Sequence, residues 1–227
     1  MNRSEPLLIG GSRPAERKWT VGPDTGFREG KMHQLSLFEA APPSVEPTSG
    51  VRRIALDAGS WLEHHPGWMT ETEDLFAELM HDAGWEQRTR WMFDRRVTEP
   101  RLTAEYPDAA EAPRSLQGIA ERLSDCFGTR YDKLWVNLYR SHRDSTSWHG
   151  DHIGKIQPQS IVPVLSLGAT RRFLIRPKDG GASVSLQPAS GDLIVMGGRA
   201  QVDWRHSVPK QATPAGPRIS INFAPRW

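Results

Sequence analysis

Cysteine is almost absent from this chain, since Cys126 is the only one among 227 residues. A single thiol cannot form an internal disulfide, so the chain is not a disulfide-stabilised scaffold. This predicts a reducing compartment. Cys126 lies near the end of a predicted helix, where we expect the thiol to be buried or half-buried.

Long hydrophobic runs and an excess of one charge are also missing. The longest apolar run near the N-terminus is Leu7, Leu8 and Ile9, which is too short for a signal sequence or a membrane span. We therefore expect a cytoplasmic protein with no membrane partner. The 29 basic residues nearly balance the 27 acidic ones, giving a formal net charge of +2. That balance allows a nucleic-acid partner without requiring one.

The composition that is present is globular, with 37% hydrophobic and 25% charged residues. These values exclude a wholly disordered chain, a collagen-like chain and a coiled coil. Residues 1–50 are rich in Pro and Gly, follow no sustained period, and are predicted to form a flexible tail. Residues 51–227 are predicted to form one domain.

Within that domain the predicted secondary structure changes from helices to strands near residue 130. Apolar stripes predict helices at 71–83 and 115–127, each followed by Gly. Short segments bounded by Gly, Pro or Asp then predict seven strands, at 134–140, 160–167, 172–176, 183–186, 192–196, 202–208 and 218–223. The expected fold is mainly β with flanking helices, an α+β sandwich or barrel.

Two of these strands carry polar residues on a whole face. Arg218, Ser220 and Asn222 alternate with apolar neighbours in the last strand, and Trp135, Asn137 and Tyr139 share one face of the first. A plain sandwich would turn these residues toward water. A barrel with a ligand in its lumen would turn them inward, where Arg can bind a carboxylate through its planar fork. The pattern alone leaves both arrangements open.

A candidate metal site is formed by His149, Asp151 and His206. On an extended segment, residues two apart point the same way, so His149 and Asp151 can bind one ion. His206 lies 57 residues after His149 (206 − 149) in another predicted strand. Two imidazoles and one carboxylate leave coordination positions open, as expected for non-haem Fe(II) that activates oxygen, although the same ligand types also suit zinc.

Around these residues the sequence resembles the AlkB family of Fe(II)- and 2-oxoglutarate-dependent dioxygenases. The resemblance covers roughly residues 85–223, and the blocks that carry it are Glu99-Pro-Arg-Leu-Thr103, Asn137-Leu-Tyr139-Arg140, Trp148-His-Gly-Asp151, Ser166-Leu-Gly-Ala-Thr170-Arg, Gly191-Asp-Leu-Ile-Val-Met196, Trp204-Arg-His206, Val208-Pro-Lys210 and Pro217-Arg218-Ile. It implies a double-stranded β-helix, a cupin-like jelly-roll barrel. Residues 51–130 would then form the helical and substrate-lid part, and residues 131–227 the catalytic barrel.

The resemblance also implies the site residues and the reaction. The catalytic set would be His149, Asp151, His206 and Arg218, of which the first three bind iron. The residues that would hold 2-oxoglutarate are Asn137, Tyr139, Arg218 and Asn222, with Arg218 on the distal carboxylate. The implied reaction removes N-methyl groups from N1-methyladenine and N3-methylcytosine in DNA with O2 and releases formaldehyde, succinate and CO2.

Substrate contacts are assigned by the same resemblance. An extruded base needs a stacking partner, for which Tyr106 and the His149 ring are the candidates, with Tyr106 as a purely structural aromatic the alternative. The substrate-binding residues expected are Tyr106, Arg101, Trp148 and His152. Arg95, Arg96 and Arg101 are placed to contact phosphates, the alternative for Arg95 and Arg96 being a solvated basic face.

Two positions depart from the family pattern. Ala224 stands where the family usually has a second Arg, six residues after the first, near the metal-bound end of the co-substrate. His152 follows the metal Asp at a place where many relatives carry an acidic residue that reads the exocyclic amine. Two alternatives therefore stay open. The chain is a catalytically weakened nucleic-acid-binding module, or it performs the same chemistry on RNA or another substrate.

The tail contains a short motif of its own. The segment Gln34, Leu35, Ser36, Leu37 and Phe38 resembles the peptide by which many bacterial repair proteins dock on the sliding clamp. The alternative is that its apolar side chains pack on the barrel as an added strand. The expected partners are thus alkylated DNA and a bacterial sliding clamp, and the chain is expected to be a monomer.

Overall fold

The computed structural model describes residues 50–92 and 94–225 of the chain. The predicted tail and the clamp-docking segment 34–38 lie outside these residues. The strands of the described part are β1 Arg52–Ala55, β2 Ser60–His65, β3 Thr89–Met92, β4 Arg95–Thr98, β5 Leu102–Tyr106, β6 Lys133–Tyr139, β7 Thr146–His149, β8 Val162–Gly168, β9 Phe173–Pro177, β10 Val184–Leu186, β11 Leu193–Gly198, β12 Trp204–Val208 and β13 Arg218–Ala224. Its α-helices are α1 Glu73–Asp82, α2 Arg114–Phe127, α3 Ile153–Ile156 and α4 Ala200–Asp203.

The strands form two larger antiparallel sheets and one separate hairpin. The first sheet has the order β1-β2-β11-β8-β13-β6-β5, the second has the order β10-β9-β12-β7, and β3 pairs only with β4. From β6 onward the chain passes back and forth between the two larger sheets. This path is that of a jelly roll, so the predicted barrel is confirmed.

Two apolar clusters explain why the sheets and helices assemble as they do. One cluster joins α1 and α2 to the outer face of the first sheet, with fully buried Leu79, Leu123 and Ile221 among its members. The other lies between the two sheets and contains Val164, Ile175 and related residues from both. The first sheet is therefore buried on both faces, which favours Val-, Ile- and Leu-rich strands.

The polar alternation in β13 is resolved by this arrangement. Ile219 and Ile221 belong to the helix-side cluster, so the intervening residues face the other sheet. Arg218, Ser220 and Asn222 are each no more than 6% exposed. The polar face therefore turns into the barrel, and the solvent-facing sandwich is excluded.

The helices agree with the sequence pattern apart from their ends. Gly128 ends α2 in the left-handed region at φ +59°, a conformation that a Cβ would strain. Cys126 is exposed, so the expectation of a buried thiol is wrong. Its position lies at the margin of the apolar stripe of α2, where the side chain reaches solvent.

In the described residues, no helix combines the length and apolarity that a membrane crossing needs.

The segment 51–130 carries more strand than its helical stripes predicted. The hairpin of β1 and β2 and the single strand β5 extend the first sheet at its two ends, and β3 pairs with β4 outside it. These strands are short, and β1 and β4 are mostly exposed. An exposed short strand carries no apolar alternation by which a sequence pattern could detect it.

Candidate active site

Three potential metal ligands converge at one end of the barrel. His149 closes β7, Asp151 follows two residues later, and His206 lies opposite His149 in the paired strand β12. The imidazole centroids are 4.2 Å apart, and Asp151 Oδ1 lies 3.8 Å from His149 Nε2 and 3.7 Å from His206 Nε2. All three ligand atoms lie within 4.8 Å of one another, so one ion can bind all three.

Local contacts orient these ligands before any ion binds. His149 Nδ1 lies 2.8 Å from the Ser147 carbonyl, which can only accept, so Nδ1 carries the proton and Nε2 keeps its lone pair. The Asp151 amide donates to Gln201 Oε1 at 2.8 Å. A Cβ at position 150 would stand 2.5 Å from the Gln201 carbonyl oxygen, so only Gly allows this approach.

Burial sets the protonation of the three groups. It lowers the pKa of His149 and of His206 to about 4, so both imidazoles are neutral near pH 7, as metal binding requires. Burial also raises the pKa of Asp151, because its charge has lost water. Asp151 Oδ2 is buried and has no hydrogen-bond partner among the described residues. A bound cation would supply the missing partner, so the donor set fits a metal ion.

A polar cavity adjoins the triad. Its lining includes His149 and His206 together with side chains from both sheets, namely Arg101, Trp135, Asn137, Tyr139, Thr146, Val164, Phe173, Val208, Arg218, Ser220 and Asn222. Asn137 faces Ser220 across the β6–β13 pair, and the Tyr139 hydroxyl is 2.7 Å from Thr146 Oγ1. The inward faces of β6 and β13 thus build one continuous polar wall.

Arg218 is the cavity residue with the most unused hydrogen-bonding capacity. It is 1% exposed, and burial lowers its pKa. Its Nη2 donates to Ser166 Oγ at 2.9 Å, whereas Nε and Nη1 are buried without a partner in the described part of the chain. Buried donors are rarely left unpaired. Unpaired donors on a buried guanidinium favour a charged acceptor such as a carboxylate, so the pocket fits an anionic ligand.

Comparison with known proteins agrees with this geometry. Residues 60–223 match the 2OG-Fe(II) oxygenase superfamily. The chain is 32% identical over 221 residues to "Alpha-ketoglutarate-dependent dioxygenase alkB homolog 3" of Bos taurus, covering 85% of this chain and 76% of that protein. It is 31% identical over 238 residues to "DNA oxidative demethylase ALKBH2" of Arabidopsis thaliana, covering 85% and 75%. The chain belongs to the AlkB family.

A solved structure extends the likeness to the fold of this AlkB-family chain. The 2OG-Fe(II) oxygenase family oxidoreductase of Burkholderia pseudomallei superimposes with a TM-score of 0.51 at 17% identity, covering 75% of this chain and 87% of that one. Membership of the AlkB family makes the chain a 2-oxoglutarate-dependent dioxygenase and implies Fe(II) and 2-oxoglutarate as its cofactors.

The residues predicted to contact substrate are not all at the cavity. Trp148 projects from the face of β7 opposite His149, and its ring lies 4.1 Å from the Arg176 guanidinium. Tyr106 packs against the helix-side cluster, on the face of β5 opposite Thr103 and Asn137. The structure thus separates both rings from the triad. His152 follows Asp151 and is exposed.

Arg101 lies at the cavity rather than on an outer, phosphate-facing surface. It is 9% exposed, and its Nε donates to Asn137 Oδ1 at 2.9 Å. The sequence pattern placed Trp135 on the same face as Asn137, and both line the cavity. It did not predict the cavity residues Thr146 and Phe173 or the contact of Gln201 with the Asp151 amide. The Phe173 ring lies against His206 with a centroid distance of 5.6 Å.

Proposed function

We propose that this AlkB-family chain removes N-methyl groups oxidatively from alkylated DNA bases, with N1-methyladenine and N3-methylcytosine as substrates. The observation that carries the proposal is the pairing of a three-ligand metal site with a pocket whose buried arginine keeps two donors free. The names of the relatives, among them a DNA oxidative demethylase, support the same substrate class.

His149, Asp151 and His206 would hold Fe(II). The bound metal, with 2-oxoglutarate and O2, supplies the oxidation of a methyl C–H bond, chemistry that no protein side chain performs. The protein contributes two neutral imidazoles and one carboxylate in a fixed arrangement.

Asn137, Tyr139, Arg218 and Asn222 would hold 2-oxoglutarate. The Arg218 guanidinium, whose Nε and Nη1 are unpaired, would donate to its distal carboxylate. The Tyr139 ring lies 5.5 Å from the Arg218 guanidinium and restricts its position. The amide of Asn222 donates to the Trp135 carbonyl at 3.2 Å, which fixes its orientation in the pocket wall.

The hairpin of β3 and β4 would contact the nucleic acid. Trp91 is 71% exposed there, an unusual position for so large an apolar ring, and Arg90, Arg95 and Arg96 are exposed beside it. Exposed arginines favour phosphates, and an exposed indole offers a stacking surface for a base. The target base must leave the helix stack to be oxidised, so an exposed side chain that can stack on nucleic-acid bases has a direct use.

The proposal is tested by formaldehyde release from single-stranded DNA that carries N1-methyladenine, in the presence of Fe(II), 2-oxoglutarate and O2. Release should require all three and should vanish in His149→Ala. His81→Ala is the matched control, because His81 is an exposed histidine of α1. Trp91→Ala should raise the KM for the oligonucleotide by about fivefold, since base stacking contributes roughly 1 kcal/mol or more.

The other outcomes separate the alternatives. Release from a methylated RNA oligonucleotide but not from DNA would assign the same chemistry to RNA. No release from either, with metal and 2-oxoglutarate bound, would contradict a nucleobase substrate. Failure to bind 2-oxoglutarate would favour the catalytically weakened nucleic-acid-binding module suggested by Ala224. Clamp docking through Gln34–Phe38 and a monomeric state stay predictions.

A further inference from the structure

Two buried arginines line the proposed co-substrate pocket, and only Arg218 has an assigned role there. Arg101 comes just before β5 and enters the pocket from the edge of the first sheet. Its Nε donates to Asn137 Oδ1, so it contacts a residue proposed to hold the co-substrate. A buried guanidinium in a ligand pocket is costly unless an anion accompanies it.

A neighbouring carboxylate holds Arg101 in place. Arg101 Nη2 lies 3.1 Å from Glu99 Oε2, and Glu99 also pairs with Arg90 of the exposed hairpin. Glu99 is 7% exposed, so this ion pair is shielded from water. One carboxylate between two arginines leaves the group with a net positive charge. The pocket therefore presents cationic character at Arg101.

Arg101 approaches the pocket from the side of the metal ligands, since it shares the cavity lining with His149 and His206. Just before Arg101, the Pro100 carbonyl accepts a hydrogen bond from the Ser145 amide at 2.9 Å, which joins the start of β5 to the start of β7, the strand that carries His149. Arg218 lies two strands away from β5, in β13, and donates to a residue of β8. Arg101 thus lies toward the metal end of the pocket, and Arg218 lies toward the other end.

Position 224 supplies no such charge. Ala224 is fully buried at the end of β13, where it pairs with Lys133, and it does not line the pocket. Of the arginines in the described part of the chain, only Arg101 and Arg218 line the pocket. A dicarboxylate has two anionic ends, and these two guanidinium groups match that pattern.

We infer that Arg101 binds the metal-proximal carboxylate of the co-substrate and supplies, from the start of β5, the cation that the chain lacks at position 224. Asn137 and Glu99 orient the Arg101 side chain for this contact. The inference rests on the proposed function, because it takes 2-oxoglutarate to be the ligand of the pocket.

The test compares two ligands on Mn(II)-loaded protein by quenching of tryptophan fluorescence, since Trp135 lines the pocket. 4-Oxopentanoate has the keto group and distal carboxylate of 2-oxoglutarate but a methyl group in place of the 1-carboxylate. Arg101→Gln should raise the Kd for 2-oxoglutarate about tenfold, as expected for one lost charged hydrogen bond. It should change the Kd for 4-oxopentanoate by less than about twofold, whereas Arg218→Gln should weaken both ligands.

Controls separate a charge effect from a structural one. Arg101→Lys should restore most of the affinity for 2-oxoglutarate, because it keeps the cation. Arg53→Gln removes an exposed arginine that also pairs with a glutamate, Glu63, and should change neither Kd. An equal loss for both ligands in Arg101→Gln, no loss for either, or no rescue by Lys would overturn the inference. If the wild-type protein binds Mn(II) but not 2-oxoglutarate, the proposed function fails first and the inference with it.

Discussion

Arg171 and Arg218 are both 1% exposed, yet the regions around them use the two side chains in opposite ways. The guanidinium of Arg171 donates to oxygens of Ser141, His142, Asp144, Pro209 and Gln211. The Arg218 guanidinium makes one hydrogen bond within the described residues, to Ser166, and keeps Nε and Nη1 unpaired. A buried cation whose donors are all used holds the chain together. One with free donors is built to hold something else.

The Arg171 region sets the geometry of the metal ligands from a distance. Its acceptors lie in residues 141–144, which lead into β7, and in residues 209–211, which follow β12. These two strands carry His149 and His206. Arg171 therefore joins the segment that precedes β7 to the segment that follows β12.

The largest expected loss of stability follows from removing the Arg171 guanidinium. Arg171→Met should lower the free energy of unfolding by about 3–5 kcal/mol, because several buried carbonyls lose their donor at once. Urea denaturation measures the change. The matched control is Arg140→Met, since Arg140 pairs with Asp144 but is 46% exposed and should cost less than about 1 kcal/mol. Equal losses in the two variants would contradict the structural role of Arg171.

The helices, most of the barrel strands and the metal ligands were predictable from the sequence, because they depend on local periodicity. The apolar stripes located α1 and α2 to within about two residues, and alternation located the seven strands from β6 to β13 other than β7. The spacing of His149 and Asp151 predicted a shared direction, and the structure brings both to His206. The same rule argues against Trp148 as a substrate contact beside His149, since neighbours in a strand face opposite sides.

The rest depends on contacts between distant parts of the chain. Gln201 approaches Gly150 and the Asp151 amide across 50 residues of sequence, and no pattern announces that contact. Arg101 enters the pocket only because β5 pairs with β6, and β5 has no distinctive period. The sequence placed Arg218 on the polar face of a predicted strand but gave no sign that Arg171, just before another strand, is buried. The structural role of Arg171 is visible only from its hydrogen-bond partners in distant parts of the chain.

The variant Ala224→Arg extends the comparison to an introduced arginine that is buried away from the ligand pocket. Ala224→Arg would place a guanidinium at a fully buried position beside Lys133. Overpacking and the neighbouring charge should lower the free energy of unfolding by about 1–3 kcal/mol. Ala182→Arg, at an exposed alanine, should be nearly neutral. Turnover with methylated DNA should not rise in Ala224→Arg, and a large gain would instead favour the catalytically weakened interpretation of the native chain.

The smallest expected change in stability belongs to Arg218, and it is the most informative. Arg218→Met removes a buried cation whose Nε and Nη1 have no partner, so the free energy of unfolding should stay within about 1 kcal/mol of the native value or increase. The same variant should weaken 2-oxoglutarate binding about 100-fold, because two charged hydrogen bonds to the ligand are lost together. Urea denaturation and titration of the Mn(II)-loaded protein measure the two quantities. A residue that holds the fold loses stability and function in step, as Arg171 should, whereas a ligand-binding residue loses function alone. A fall in stability comparable to that of Arg171→Met would show that the free donors of Arg218 are satisfied within the fold and would remove the main physical argument for an anion in this pocket.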